Sequence, residues 1–507
     1  MILRRAHLSS LITTMLLIFS LIYYLLLNQA NAKMNINESE SISLSTLIDS
    51  IGTKQFYNCD LGDGIRIEIL TMLRSLNQNV LVAGSKGNRS PYKQYFDDSN
   101  NGIQFYTGKK GKVLYPTNYN HIIHMHHSPN KNLYEDDIKK MFEFYQTDDS
   151  LSSSDAIVCS NPLSMCEAFL PYNKTIIWIA SHRYSLGRCS KDSWNRLNEH
   201  ITESIKDNKN RAKSFLAAMS MYDVEYINYF TGLHAILIEP TALLYGALEL
   251  RNKEVQAMKT EILLGSTTHV SKEELNHLMN SAKKNNFTMI HPQKLYGNYK
   301  LEQVVSHPAV IIIPHSVHTQ TFVEFYALGI PIFIPSIDFL ITLSTLHERT
   351  TSGRENCLSA QDYDKDGDHI HIKTVDHIHH HAVHNKAHNI SHITSTIHPA
   401  KSINSRHTAN PESEDLADIK YWLKFSNQYY WPHVTYFNSW DELFLKLKSA
   451  DLVSIRARMI EENDKRLIAS AKSWINLISA IERGRQVPKD YEHSLSTLWN
   501  VKKLQIE

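Results

Sequence analysis

Charge of one sign is the first thing this sequence lacks: 53 Lys and Arg face 52 Asp and Glu over 507 residues, a formal net charge of +1. Without a basic excess there is no electrostatic footprint for a phosphate backbone, and no nucleic-acid partner is expected. Cysteine is scarce as well. Cys59, Cys159, Cys166, Cys189 and Cys357 can form at most two internal bridges in an oxidising compartment, with one thiol left over, and the pairing is not set by the sequence. Large apolar residues thin out from 349 to 415, a stretch dominated by histidine. Such a segment cannot bury enough surface to fold alone and reads as a disordered insertion. Within it Asp362 to Gly367 imitates the start of an EF-hand loop, but Lys373 stands where the bidentate Glu belongs, which excludes that site. The histidines from His377 to His392 have no ligand geometry beyond loose Zn²⁺ or Cu²⁺ binding, and no obligatory metal is expected.

What is present is an ordinary globular balance, 42% hydrophobic and 21% charged, in a length suited to two or more domains. Arg4 and Arg5 precede an apolar run from Leu8 to Leu27, close to the ~20 residues that span a bilayer. It predicts a cytoplasmic tail (1–7), a transmembrane signal-anchor (8–27) and a Ser- and Asn-rich stem (28–52). Cleavage as a signal peptide at Ala30-Asn31-Ala32 is the alternative, against which the length of the run argues. Either way the body enters the secretory lumen, anchored as a type II protein of the Golgi or endoplasmic reticulum or secreted after cleavage. Asn-x-Ser/Thr triplets at Asn37, Asn88, Asn173, Asn286 and Asn389 fit that side of the membrane.

From residue 53 the pattern is α/β. "GDGIR" and its helix lead to the strand "NVLVAGS", and "DAIVCSNP", "TIIWIASH", "KSFLAAMS" and "HAILIEP" follow as short apolar strands between polar or helical stretches. The rhythm restarts after about 250, with "EILLGSTTH", a helix over Lys272 to Lys284, "FTMIHP" and a helix over Leu301 to Ser306. Apolar strands alternating with helices predict parallel sheets. The expectation is two Rossmann-like, doubly wound domains facing a cleft: a first, acceptor domain over 53–250 and a second, donor domain over 258–348 plus 416–450. Terminal helices over 451–507 follow.

"IIIPHSVHTQTFVEFYALGIPIFIPS" concentrates the chemistry. A loop from His315 to Gln320 leaves a strand and opens a helix over about Thr321 to Leu328, so backbone N–H groups and the helix dipole meet an anion there. Thr319 and Thr321 can cap the helix or donate to phosphate oxygens, and Glu324 can accept from two vicinal hydroxyls. The plain alternative makes Thr319 only a cap and Glu324 only a surface residue. Elsewhere, His126 and His127 in "HIIHMHHSP" could supply a general base, or be ordinary surface histidines. Arg183 in "SHRYSLGR" suits a phosphate or acidic acceptor, unless it only edges a turn. Asp63 either faces the acceptor or caps the helix from Ile65.

Pro314, Thr321, Glu324, Gly329, Pro331 and the strand Ile332 to Ile334 together resemble the donor-binding signature of nucleotide-sugar glycosyltransferases of the GT-B fold. The order of the strands before it is similar over most of the chain. The resemblance implies a glycosyltransferase of hexosyl or related transfer, taking a nucleotide-sugar as donor and a glycan, protein or lipid as luminal acceptor. By it Glu324 would hold the ribose, the Thr319 to Thr321 backbone the pyrophosphate, and Ser316 and His318 would line the pocket. Val317 and His318 stand where many members have glycine, and "GSTTH" lacks the usual basic residues, so that His318 or Arg183 would neutralise the pyrophosphate. An epimerase or hydrolase of nucleotide-sugars on the same fold, and a catalytically inactive luminal metal-binding or recognition protein, are the alternatives.

Overall fold

A computed structural model describes residues 44–59, 63–83, 107–108, 112–113, 139, 142–143, 149–160, 163–181, 183–185, 191–206, 212–242, 261–265, 267, 270–297, 299, 301–314, 316–343, 398–413 and 415–483. The chain divides into two units, Met1–Thr53 and Lys54–Glu507. In the first, the end of the expected stem is a helix, α1 (Leu44–Ile51), on which Leu47, Ile48 and Ile51 recur at helical spacing. Among the described residues no helix is long and apolar enough to cross a membrane, and the run 8–27 lies outside them.

The second unit holds two parallel-sheet α/β domains, as the alternating pattern predicts. The first is built from β1 (Gln55–Cys59), α2 (Asp63–Ser75), β2 (Asn79–Ala83), a small antiparallel pair β3 (Thr107–Gly108) and β4 (Lys112–Val113), α3 (Asp149–Ser153) and β5 (Ala156–Cys159). A 3-10 helix (Leu163–Tyr172), β6 (Thr175–Ala180), α4 (Lys191–Ile205), β7 (Phe215–Ala218), α5 (Met221–Thr231) and β8 (Ile236–Leu237) complete it. Its sheet runs β2-β1-β5-β6-β7-β8, with every pairing parallel. β5 and β6 are buried at every position, as strands covered on both faces must be. Cys159 at the end of β5 is bonded to Cys166 in the 3-10 helix, which settles one pairing that the sequence left open.

The second domain contains β9 (Ile262–Leu264), α6 (Lys272–Lys284), β10 (Met289–Ile290), α7 (Pro292–Tyr296), α8 (Leu301–Val304), β11 (Val310–Ile311), α9 (Gln320–Ala327), β12 (Ile332–Pro335) and α10 (Ile337–Thr342). It continues with α11 (Leu416–Leu423), α12 (Asn427–Tyr430), β13 (Thr435–Phe437) and α13 (Trp440–Ser449). The sheet order is β10-β9-β11-β12-β13, again parallel, so the returning segment 416–450 supplies the strand beside β12. α6 shows how local sequence sets such a helix: Ser271 accepts from the Glu274 amide at its start, Glu273 and Glu274 face the positive end of the dipole, and Lys283 and Lys284 the negative end. α9 ends in a Schellman motif, with Gly329 N–H donating to Tyr326 O (2.9 Å) and Ile330 N–H to Phe325 O (3.0 Å). Gly329 has φ +71°, and a β-carbon there would lie 2.6 Å from Ile460 Cγ1.

Ile460 belongs to α14 (Leu452–Ser479), which packs Ile455 and Met459 into the core beneath α9. Further along it returns to the first domain. Arg466 meets Glu239 just after β8 at 2.6 Å, and Lys54 Nζ donates to the carbonyls of Ile478 and Ile481, the latter at 2.9 Å.

The segment 349–415, expected to be a disordered insertion, differs at its end: 398–413 is packed along α5. Ser402 N–H donates to Tyr229 O (2.9 Å), and Trp422 Nε1 to Ala409 O (3.1 Å). His407 Nε2 lies 2.6 Å from Glu225, which also takes the Arg406 guanidinium. Gly232, at φ +73°, lets this segment pass, since a β-carbon would sit 2.7 Å from Asn404 Cβ and Ser402 Oγ. Hydrogen bonds and one buried carboxylate hold what apolar content alone would not. Residues 344–397 lie outside the described ones.

Candidate functional site

In both sheets the order of strand addition reverses beside the first strand, between β1 and β5 and between β9 and β11, and in such sheets ligand crevices open at the carboxyl ends of the strands flanking that switch. In the second domain this is where the loop 312–319 leaves β11. Gly265 follows β9, and its α-carbon lies where a β-carbon would come within 3.3 Å of Ile311 O, so the two strand ends run close.

The loop is braced from behind by α12. Gln428 Nε2 donates to Ser316 O (3.1 Å) and lies 3.4 Å from Thr319 Oγ1, while Asn427 Nδ2 is 3.0 Å from His318 Nδ1. His318 is 1% exposed, and Val317 joins the core cluster that contains Ala409 and Trp422. Val317 and His318 therefore anchor the loop by packing. Ser316, Thr319 and Gln320 are half-buried and Thr321 is exposed.

Thr319 is the N-cap of α9 in an extended conformation, and its side chain makes no capping hydrogen bond. Its carbonyl accepts from the Phe322 and Val323 amides. The amides before them, of Gln320 and Thr321, precede the first intrahelical bonds, and with the dipole they suit an anion. One turn in, Glu324 is buried. Tyr299 is pushed up to about 12, first by burial and then by the Glu324 charge, which places the two within electrostatic reach. At the end of β10, His291 is held below the usual histidine range by burial and next by Lys294, and Thr267 Oγ1 lies 3.4 Å from its Nε2. The ends of three neighbouring strands and the segments that follow them thus offer an anion-receiving helix start, a buried carboxylate, a tyrosine and an imidazole.

Tyr299 and His291 were not among the residues picked out from the sequence, although His291 follows a strand as the loop from His315 does. Asn427 and Gln428 leave no sequence signal at all, since they act from more than 100 positions away.

In the first domain Asp63 is the first residue of α2, and its side chain is outside the described residues, as are His126 and His127. Arg183 is buried at the end of β6, where its guanidinium meets Glu412 Oε1 at 3.2 Å and its amide donates to Asp223 Oδ1 at 2.7 Å. Of the residues singled out from the sequence, Ser316, His318, Thr319, Thr321 and Glu324 are brought together in one loop and helix; Arg183 is engaged within its own cluster.

No protein-family profile and no curated protein matches the chain. Among solved structures it is similar to a UDP-N-acetylglucosamine 2-epimerase from Rickettsia bellii, with 13% identity and a TM-score of 0.31 over 56% of this chain and 79% of that one. It is also similar to a glycosyltransferase from Streptomyces sp. SF2575, with 12% identity and a TM-score of 0.28 over 61% and 91%. At these values neither likeness says which reaction the chain carries out.

Proposed function

We propose that the chain is a glycosyltransferase that binds a nucleotide-sugar in the second domain and passes the sugar to an acceptor held by the first. The observation that carries this reading is the pairing, at the switch point of a parallel sheet, of an uncapped helix start at Thr319 with the buried carboxylate of Glu324. The first suits a diphosphate and the second a pair of ribose hydroxyls. In the transfer an acceptor oxygen bonds to the anomeric carbon, the bond from that carbon to the diphosphate breaks, and the nucleoside diphosphate leaves with its charge at the start of α9. His126, His127 or Asp63 would take the acceptor proton in an inverting reaction. Membrane attachment through Leu8 to Leu27, and a Golgi or endoplasmic reticulum location, belong to the same proposal. The Cys159–Cys166 bond is in keeping with an oxidising lumen.

A thermal-shift screen against a panel of nucleotide-sugars tests the reading, because a ligand of the folded state alone raises the midpoint with concentration. At least one should stabilise the wild type, and Glu324→Ala should lose about tenfold or more in affinity, the ~1.4 kcal/mol of one or two hydrogen bonds to a charged group. No stabilisation by any of them, or unchanged binding by Glu324→Ala, overturns it. Product analysis with a labelled donor then separates transfer from epimerisation and hydrolysis.

A further inference from the structure

A charged cluster lies at the carboxyl ends of β6 and β7 of the first domain. Arg183 follows β6 with φ +46°, in the left-handed region, and is fixed there by the hydrogen bond its backbone N–H donates to Asp223 Oδ1. Asp223 is held in turn by the Ser220 hydroxyl at 2.6 Å. With the backbone so tied, the guanidinium lies over the Tyr226 ring, 5.8 Å from its centroid, and within electrostatic reach of the Tyr222 hydroxyl. It meets Glu412 Oε1 at 3.2 Å, and the Tyr226 hydroxyl donates to the same oxygen at 2.7 Å. The Ser185 hydroxyl stands 3.3 Å from that of Tyr226.

These donors all belong to the first domain and are buried. The carboxylate they converge on does not: it arrives on 398–413, a segment held to α5 by hydrogen bonds and by the Glu225 carboxylate. Asp223, the first domain's own carboxylate at this place, is occupied by an amide and a hydroxyl. If Glu412 moves away, a guanidinium and phenol hydroxyls face the space it filled, a fork and donors matched to the oxygens of a phosphate.

We propose that Arg183, Tyr222 and Tyr226 form a phosphate-binding pocket of the first domain, which Glu412 fills as a built-in competitor and which opens to the phosphate group of a ligand when 398–413 lifts. The pocket is independent of the donor site, and its probe is inorganic phosphate. A tethered competitor acts at an effective concentration in the millimolar range or above, so removing it should tighten external binding by about tenfold or more. Phosphate affinity is measured by calorimetry on the full chain at constant ionic strength. Glu412→Ala should bind at least about tenfold more tightly than wild type. Glu412→Gln, which keeps the volume filled, should stay near wild type, and Arg183→Gln/Glu412→Ala should lose the gain. The double variant leaves the donor loop untouched, so its loss of the gain keeps failure here distinct from failure of the donor site. If Glu412→Ala does not fold in phosphate-free buffer, phosphate must restore its circular dichroism where sodium chloride of equal ionic strength does not. Equal phosphate binding by wild type and Glu412→Ala, a gain retained by the double variant, or absence of rescue overturns the proposal.

Discussion

Gly329→Ala probes a position where the backbone and a neighbouring helix make the same demand. Its φ of +71° is the left-handed conformation that closes α9, which costs an L-residue with a β-carbon roughly 1–2 kcal/mol. The new β-carbon would also stand 2.6 Å from Ile460 Cγ1 and 3.2 Å from Arg456 Cγ, so α14 must shift outward, an overpacking typically worth about 1–3 kcal/mol. The two effects together give a loss of about 2–5 kcal/mol, read as a lower urea midpoint at constant slope. Because only the steric part involves Ile460, Gly329→Ala/Ile460→Ala should be less destabilised than the sum of the single variants by about 1–3 kcal/mol. A Gly329→Ala protein within about 0.5 kcal/mol of wild type, or strict additivity in the cycle, would refute the reasoning.

Burial pushes Asp223 up to about 6, against the opposing bonds from Ser220 and the Arg183 amide. A carboxyl raised in the folded state favours folding while protonated, so its contribution is complete below about pH 4 and lost as pH rises through 6, about 3 kcal/mol in all. Asp223→Asn should therefore gain stability relative to wild type across that interval, as followed by urea midpoints from pH 4 to 7; parallel curves would contradict it. Asn286 is exposed at φ +60°, whereas the amide oxygen of Asn173 accepts from Ala212 N–H at 3.0 Å. If the body is luminal, Asn286→Gln should increase electrophoretic mobility and Asn173→Gln should not. A chain insensitive to both the Asn286→Gln change and glycosidase would count against glycosylation at Asn286.

Much of the fold was legible where local chemistry marks it. The helix expected over Lys272 to Lys284 has those ends in the structure because serine, glutamates and lysines bracket it, and the helix expected from Thr321 to Leu328 is displaced by one residue. The positions of Thr319 at the start of that helix and of Glu324 one turn in were legible for the same reason. The rest depends on partners remote in sequence. Arg183 reads as an open cation until Glu412, 229 residues later, is brought to it. His318 reads as a ligand until Asn427 is seen behind it. The segment 398–413 carries few apolar residues, so no periodic pattern reveals that it lies against α5.

The return of α14 to the first domain has a consequence for biosynthesis. Lys54, at the start of β1, finds the carbonyls of Ile478 and Ile481 across 424 and 427 positions of chain. While the ribosome makes the second domain, the first has every strand of its sheet but lacks the helix that closes one flank. From their synthesis until that of α14, the β8 edge and the Glu239 carboxylate stay open to solvent and to chaperones, and the first domain is completed only after the last strand of the second has been synthesised.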